Sequence, residues 1–487
     1  MPESRLIKNI LSLATAQVIT KLVNMAASIA IVRLLGSEEL GRYAYVLAFA
    51  YPFGAVADFG LAAYAIREVS RGRSRESEVL AALRRTLFLC ASVGWIVMMG
   101  CGAMLHRDAV MLTSLALAGF ASVLSAFTTP MLVSLTARED LRTVAVCQIL
   151  GSLLGSAAVA SALLLGGKTV SLLLAATAAN LVMLAVTYVL TGPLPAMSPA
   201  SMSVVSAMIR DALPFGLLLI GFAVYYRVDM VMLEWLRGTR EVGLYAAAYR
   251  FLDAIIPLAA SVARPFYPRF SGLAGRDRDS SRELLEKTWR PLLGLILPLA
   301  IGICFAAEPL TLVLFGGEFK DSVAPLQVLI WGSLPLVLIM IPTQALMAAD
   351  RVWPLVGVYG VSACVNIIGN LLLIPRWGAS GAAAMTVVCE WFNFGLVSIM
   401  LRREFGVRMG WRGLWRYMLA AVGMASVLWL ARDYGSIAQI LSGTTAYAAI
   451  LFALGCVRVA DLLVMKRLLT GTADGRALPE AGTRVME

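Results

Sequence analysis

Blocks of apolar residues, each about 20 to 27 long, recur along the chain with short polar or charged joints between them. A helix of that length crosses the ~30 Å of hydrocarbon in a bilayer. The blocks fall near 8–34, 42–66, 86–105, 109–135, 143–166, 169–191, 212–236, 242–267, 289–314, 324–348, 352–374, 379–401, 413–431 and 440–465. Lipid offers no hydrogen bonds, so each crossing segment must satisfy its own backbone as a helix. The expected fold is an all-α polytopic membrane protein with about fourteen transmembrane helices. Composition agrees, because hydrophobic residues make up 60% of the chain and charged residues 15%, unlike a soluble domain.

The joints set the topology independently of the blocks. With the N-terminus cytoplasmic, the inner joints include "REVSRGRSRESEVLAALRR" (67–85), "RPFYPRFSGLAGRDRDSSRELLEKTWR" (264–290) and "RREFGVRMGWRGLWR" (402–416). The outer joints are short: "HRD", "GGKT", "GGEFKDS" and "RDYGS". About 28 Lys and Arg then lie inside and about 9 outside, as the positive-inside rule requires. This places both ends in the cytoplasm. The first block contains Lys21 and Asn24, and no small-residue cleavage site follows a short apolar core, so it reads as a span and not a signal peptide.

The same distribution explains the net charge of +11 as a basic cytoplasmic face against anionic headgroups, with no call for nucleic acid. The seven cysteines lie in apolar runs and form no C-x-x-C pair, which fits small buried hydrophobes. With one histidine, His106, in a joint, a His-based metal site is not expected, and no metal or organic cofactor is implied. The chain has no G-x-x-x-x-G-K-[ST] loop for ATP. Energy would come from a gradient of H⁺ or Na⁺, from the substrate's own gradient or from a partner.

Two segments repeat without a gap. In "LGSEELGRYAYVLAF" (35–49) and "RGTREVGLYAAAYRF" (237–251), Gly36, Glu39, Gly41, Tyr43, Ala44 and Phe49 match Gly238, Glu241, Gly243, Tyr245, Ala246 and Phe251. They join the first two spans and the seventh and eighth. Six spans separate the copies, so the halves run the same way through the membrane, as parallel repeats about an axis near its normal. The expected organisation is two pseudo-symmetric six-helix bundles, 1–192 and 211–402, around a central cavity. A cytoplasmic linker (193–210), two additional spans (403–466) and a disordered tail (467–487) complete it.

Polar groups at membrane depth mark that cavity. The first span carries Gln17, Lys21, Asn24 and Ser28 on one stripe, the twelfth carries Thr386, Glu390 and Asn393, and the eleventh carries Ser362, Asn366 and Asn370. The seventh span adds Tyr225, Tyr226, Arg227 and Asp229; the eighth adds Arg250 and Asp253; the second adds Asp58. Ser, Thr and Asn stripes also serve as glue between helices, Arg250 and Asp253 at i, i+3 also suit a local ion pair, and Asp58 beside Gly60 also suits a helix end. Arg227 and Asp229 point to opposite sides of one helix, so each needs its own partner. For Asp229 that is a neighbouring helix or Arg250. Lys21, Arg227 and Arg250 suit an anionic ligand, since Arg grips phosphate oxygens with two parallel bonds. Asp58, Asp229, Asp253 and Glu390 either hold these cations in place or bind a coupling ion.

With "YYRVDMVMLEWLRGTREVGLYAAAYRF", "LFGGEFKDSVAPLQVLIWG" and "NIIGNLLLIPRWGASGAAAMTVVCEW" in this order and spacing, the first 400 residues or so resemble the polysaccharide-biosynthesis flippases of the Wzx/PST type. These belong to the multidrug/oligosaccharidyl-lipid/polysaccharide exporter superfamily. Tyr225, Arg227 and Asp229 match the family's "Y-x-R-x-D", and Gly378, Gly381 and Ala382–Ala384 its "G-x-x-G-A-A". The resemblance implies a V-shaped pair of bundles, a cationic lumen, and alternating access. The cargo it implies is an undecaprenyl-pyrophosphate-linked oligosaccharide, passed from the cytoplasmic to the outer leaflet. Lys21, Arg227 and Arg250 would then meet the pyrophosphate, while Gln17, Asn24, Tyr226, Asn366 and Asn393 would bond sugar hydroxyls. A polysaccharide polymerase and assembly proteins are the partners implied. An ion-coupled multidrug exporter is the rival within the superfamily, and three deep basic residues oppose it. A membrane glycosyltransferase or polymerase is the enzyme rival, and the short outer joints leave it little room for a catalytic domain.

Overall fold

The computed structural model describes residues 3–71, 76–192, 202–263, 266–273, 277–407 and 414–456, with side-chain environments from Ile19 onward. Every regular element among them is helical. The order is α1 (Glu3–Asp58), α2 (Leu61–Arg71), α3 (Glu76–Leu105), α4 (Ala109–Ala137), α5 (Leu141–Leu164), α6 (Thr169–Thr191), α7 (Met202–Arg237) and α8 (Thr239–Ala263). There follow α9 (Phe266–Leu273), α10 (Arg278–Phe305), α11 (Ala307–Phe315), α12 (Val323–Leu329), α13 (Ser333–Ala348), α14 (Val352–Phe405), α15 (Leu414–Leu430) and α16 (Ser436–Ala453). Two 3₁₀ turns, Gly317–Ser322 and Ile330–Gly332, thread α12 and α13 into one span.

Ten of these stretches are long and apolar enough to cross a membrane, and two of the ten, Ile19–Ser70 and Val352–Phe405, run 52 and 54 residues and bend midway. Each of the long pair crosses twice; α15 and α16 are shorter apolar helices. Fourteen crossings result, as the sequence predicts. The bends are built on glycine. Gly36 holds φ +75° inside α1 and Gly378 holds φ +54° inside α14, conformations that cost a residue with a Cβ.

The chain forms two compact units, one of Met1–Leu292 with Ala307–Arg408 and one of Leu293–Ala306 with Met409–Glu487. In the second unit, Tyr417 packs against Gly294 and Met424 against Gly302, so the latter part of α10 keeps company with α15. The first unit holds both repeats. Their hinges correspond: Gly36 divides α1, and Gly238, with φ +88°, divides α7 from α8.

Of the cytoplasmic linker expected over 193–210, the structure describes only 202–210. Residues 193–201 and the tail from 457 lie outside the described residues, but α7 already begins at Met202. Its early turns are helical because they have a core to join. Met208 and Ala212 are buried against Leu61, Ala65 and Val69, the i, i+4, i+8 face of α2, and against Leu80 and Leu83 of α3.

That core links the first half (α1–α6) to the second (α7–α14) at the end of the bundle with long charged joints. A matching core links them at the short-joint end, where Ile31, Val32, Leu40, Leu163 and Leu172 meet Leu244, Ala247, Phe315 and Phe319. Within lipid such packing stabilises through close van der Waals contact and not through removal from water. The interface between the halves thus carries apolar packing at both ends, with Lys21, Arg227 and Tyr51 between them.

Candidate functional site

Depth follows from counting residues along the helices from the hinge glycines. At 1.5 Å per residue, Arg227, Arg250, Lys21, Asp253 and Tyr51 all lie about 16 to 23 Å from the short-joint end, near the middle of a ~30 Å hydrocarbon layer. Charges at that depth need partners.

Arg227 finds them on α8 and across the interface. Its Nη2 donates to Asp253 Oδ1 at 3.2 Å, and the Tyr226 hydroxyl donates to the same oxygen at 2.7 Å. The guanidinium carbon lies 4.5 Å from the ring centroid of Tyr226, 5.1 Å from Tyr249 and 5.9 Å from Tyr51. Planar guanidinium suits such stacking, where an ammonium would not. Phe222 stacks on Tyr226 with centroids 5.2 Å apart. Tyr51 belongs to the first half, so both repeats build the cage. The pair is not sealed: the side chains of Arg227 and Asp253 are 19% and 28% exposed. Pro257 sharpens the site from below. It lacks the N–H that would bond the Asp253 carbonyl, which loosens α8 beside the pair.

Lys21, on α1, also reaches across the halves; its Nζ donates to the Pro257 carbonyl at 2.9 Å. Arg250 is half-buried one turn above Asp253, and its Nε is buried with no hydrogen-bond partner among the described residues. The local Arg250–Asp253 pair open in the sequence gives way to the Arg227–Asp253 pair between helices.

Asp229 occupies the opposite side of α7 and is 1% exposed. Its Oδ1 accepts from the Met230 amide at 2.8 Å, and its Oδ2 from the Tyr245 hydroxyl at 2.6 Å and the Thr386 hydroxyl at 3.2 Å. The neighbouring helices α8 and α14, not Arg250, therefore hold it. Glu390 is likewise withdrawn and accepts from the Tyr225 hydroxyl at 2.7 Å.

The asparagines separate by burial. Asn366 and Asn393 are each 1% exposed, packed between the arms of α14. Asn393 accepts from the Ser362 hydroxyl, Asn366 donates to Cys389 Sγ at 3.6 Å, and Asn370 donates to Asn366 Oδ1 at 2.7 Å. This stripe is glue between helices, so the structure corrects the expectation that these two present amides to sugar hydroxyls. Asn24 is exposed and accepts from Ser152 of α5 at 2.9 Å. The side chain of Gln17 lies outside those described. Asp58 is exposed and is the last residue of α1, about 33 Å from Gly36, so it marks a helix end and not mid-depth. Among the described residues no group of three or more His, Cys, Asp or Glu gathers as a metal site.

Sequence reasoning passed over Tyr51, Tyr245 and Tyr249. Tyr245 was visible as a repeat match to Tyr43. Tyr51 and Tyr249 carry no signal beyond lying a few helical turns past each hinge.

Comparison with known proteins adds the family. The family described as "Polysaccharide biosynthesis protein" matches residues 6–274, and the family "Lipid II flippase MurJ" matches residues 144–453. The probable flippase AglR of Haloferax volcanii is 26% identical over 246 residues, 47% of this chain and 50% of that protein. The probable low-salt glycan biosynthesis flippase Agl15 of the same organism is 22% identical over 43% of this chain and 44% of its own length. The chain thus spans about half the length of the curated relatives it matches. A solved structure of the lipid II flippase MurJ in an inward closed conformation superposes with a TM-score of 0.78 at 13% identity, over 92% of this chain and 100% of that one. An inward-facing multidrug resistance transporter of the MATE family gives 0.64 at 15% identity, over 82% of this chain and 98% of its own. At these identities the likeness is one of fold.

Proposed function

The chain belongs to the polysaccharide biosynthesis protein family, a family of flippases, and from that premise we propose that it moves an undecaprenyl-pyrophosphate-linked oligosaccharide across a bacterial cytoplasmic membrane. The cargo is an O-antigen, capsule or exopolysaccharide repeat unit, passed from the cytoplasmic to the outer leaflet by alternating access. The chain's termini lie in the cytoplasm, and its role is transport and not catalysis. A polysaccharide polymerase and assembly proteins take over the product. The two flippase relatives and the shared fold support this reading.

One observation carries it: Arg227 sits at mid-depth, partly exposed, in a cage made by both halves. The polyprenyl tail stays in lipid, while the charged pyrophosphate needs a cationic route that opens to one leaflet at a time. Arg227, Arg250 and Lys21 supply that charge, and Tyr226 and Asn24 offer hydrogen bonds to the glycan. Asp253 orients Arg227. Asp229 and Glu390 serve either as scaffold or as the H⁺ or Na⁺ coupling site.

The test is protection of a lipid-linked oligosaccharide in proteoliposomes from a membrane-impermeant modifying reagent. Arg227→Ala is expected to lower translocation at least about tenfold while the protein stays inserted and folded. Normal translocation by Arg227→Ala would remove the assigned role. Export of small cations that ignores Lys21 and Arg227 would favour drug transport instead.

A further inference from the structure

Three glutamates at the short-joint end each cap the start of a helix. Glu39 Oε2 accepts from the Thr169 amide at 3.2 Å and its hydroxyl at 2.9 Å, at the first turn of α6. Its repeat equivalent, Glu241, accepts from the Ala379 amide at 2.9 Å, where α14 resumes after Gly378. These caps match in position, and each joins helices of its own half.

The third differs. Glu318, in the 3₁₀ turn before α12, accepts at Oε1 from both the amide and the hydroxyl of Ser37, each at 2.7 Å. Ser37 opens the second arm of α1, in the opposite half. A carboxylate at a helix start satisfies orphan N–H groups and faces the positive end of the helix dipole. Ser37 is 3% exposed, so water is poorly placed to replace the carboxylate. Beside it the backbones of the halves approach closely, Gly41 against Thr239 and Gly243 against Ser37. Arg33 adds a longer bond to the Val313 carbonyl at 3.4 Å.

We propose that Glu318 is the latch that holds the short-joint end closed. The proposal rests on the alternating-access reading above. When the halves part at this end, Glu39 and Glu241 travel with their partners, whereas Glu318 must let go of Ser37. Among the described residues no hydrogen bond from the first half's own joint crosses the halves: Asp108 caps α4 there, and His106 meets Glu234 of α7 only through their charges. The closed end is therefore secured by the Glu318–Ser37 contact, with the longer Arg33 bond beside it, laid over apolar packing.

Amide exchange read by mass spectrometry on the full chain in lipid nanodiscs tests this, with Glu39 and Glu241 as internal references. Glu318→Ala is expected to speed exchange about tenfold or more at 37–41 and also at 239–243, the facing segment of the other half. Segments 169–173 and 379–383 should match wild type. Glu241→Ala should speed 379–383 alone. Glu318→Gln, which keeps an oxygen acceptor without the charge, should fall between wild type and Glu318→Ala. A rise confined to 37–41, or no rise, makes Glu318 a local cap and overturns the latch. A rise in every segment of Glu318→Ala would mark unfolding, and the same comparison in Glu318→Gln then decides. Failure of wild type to translocate lipid-linked oligosaccharide would defeat the transport reading and is read in a separate assay.

Discussion

Gly41 and Gly243 occupy equivalent positions in the two repeats and face each other across the halves. A Cβ on Gly41 would lie 1.8 Å from the Thr239 carbonyl oxygen, and a Cβ on Gly243 would lie 1.8 Å from that of Ser37, the repeat equivalent of Thr239. The local two-fold axis of the first unit passes between them. Since the obstruction is backbone, neither neighbour can yield by changing rotamer. Gly41→Ala and Gly243→Ala are each expected to cost about 1–3 kcal/mol, by nearly equal amounts. Thermal unfolding of the purified variants measures this. A large difference between the two would contradict the symmetry of the contact.

Arg227 and Asp253 are expected to behave as one unit. Each leaves the other charged and unpaired at mid-depth when removed, so Arg227→Ala and Asp253→Asn should impair translocation to a similar degree. The double variant should be little worse than either single, with a coupling of about 1–3 kcal/mol in a double-mutant cycle. Arg227→Lys should rescue poorly, because an ammonium keeps the charge but loses the stack between Tyr226, Tyr249 and Tyr51. Full activity of Arg227→Lys would show that charge alone suffices.

The legible parts of this fold are those governed by period and composition. Span count, the parallel repeat and the depth of Lys21, Arg227 and Arg250 all follow from hydropathy and residue counting. Which way a polar side chain turns does not. Asn366 and Asn393 share the spacing of lumen-facing residues, yet face the packing between the arms of α14. There Ser362 donates to Asn393 and Asn366 donates to Cys389, while Asn393 Nδ2 has no hydrogen-bond partner among the described residues. Asp253 lay one turn from Arg250 in sequence and is claimed by Arg227 from another helix. The glycines of "G-x-x-G-A-A" act through contacts that spacing alone does not carry. A Cβ on Gly378 would meet Glu241 Oε2 at 2.6 Å, and one on Gly381 would meet the Leu373 carbonyl at 2.5 Å.

Asp229 is held by two hydroxyls and an amide, so its partners are measurable one at a time. Tyr245→Phe removes the 2.6 Å bond and leaves a buried carboxylate short of a donor, which should destabilise by about 1–3 kcal/mol. Thr386→Val removes the longer 3.2 Å bond and should cost less. Equal losses in the two variants, read by chemical denaturation in detergent, would contradict the ranking by geometry.

At the other end of the interface, Phe59 and Gly216 offer the counterpart test. Phe59 holds φ +45°, which is costly for an aromatic residue, and its ring closes over α7 so tightly that a Cβ on Gly216 would fall 2.6 Å from it. Gly60, at φ +70°, completes the bend against Phe215. Gly216→Ala is expected to cost about 1–3 kcal/mol in the wild-type background, because the ring is tethered to a constrained backbone and has little freedom to withdraw. In a Phe59→Ala background the same substitution should cost almost nothing, since the obstructing ring is gone. Amide exchange should localise the effect, rising over 59–69 and 208–216 and staying at wild-type level over 37–41. Equal cost of Gly216→Ala in both backgrounds would show that Phe59 does not seal this end.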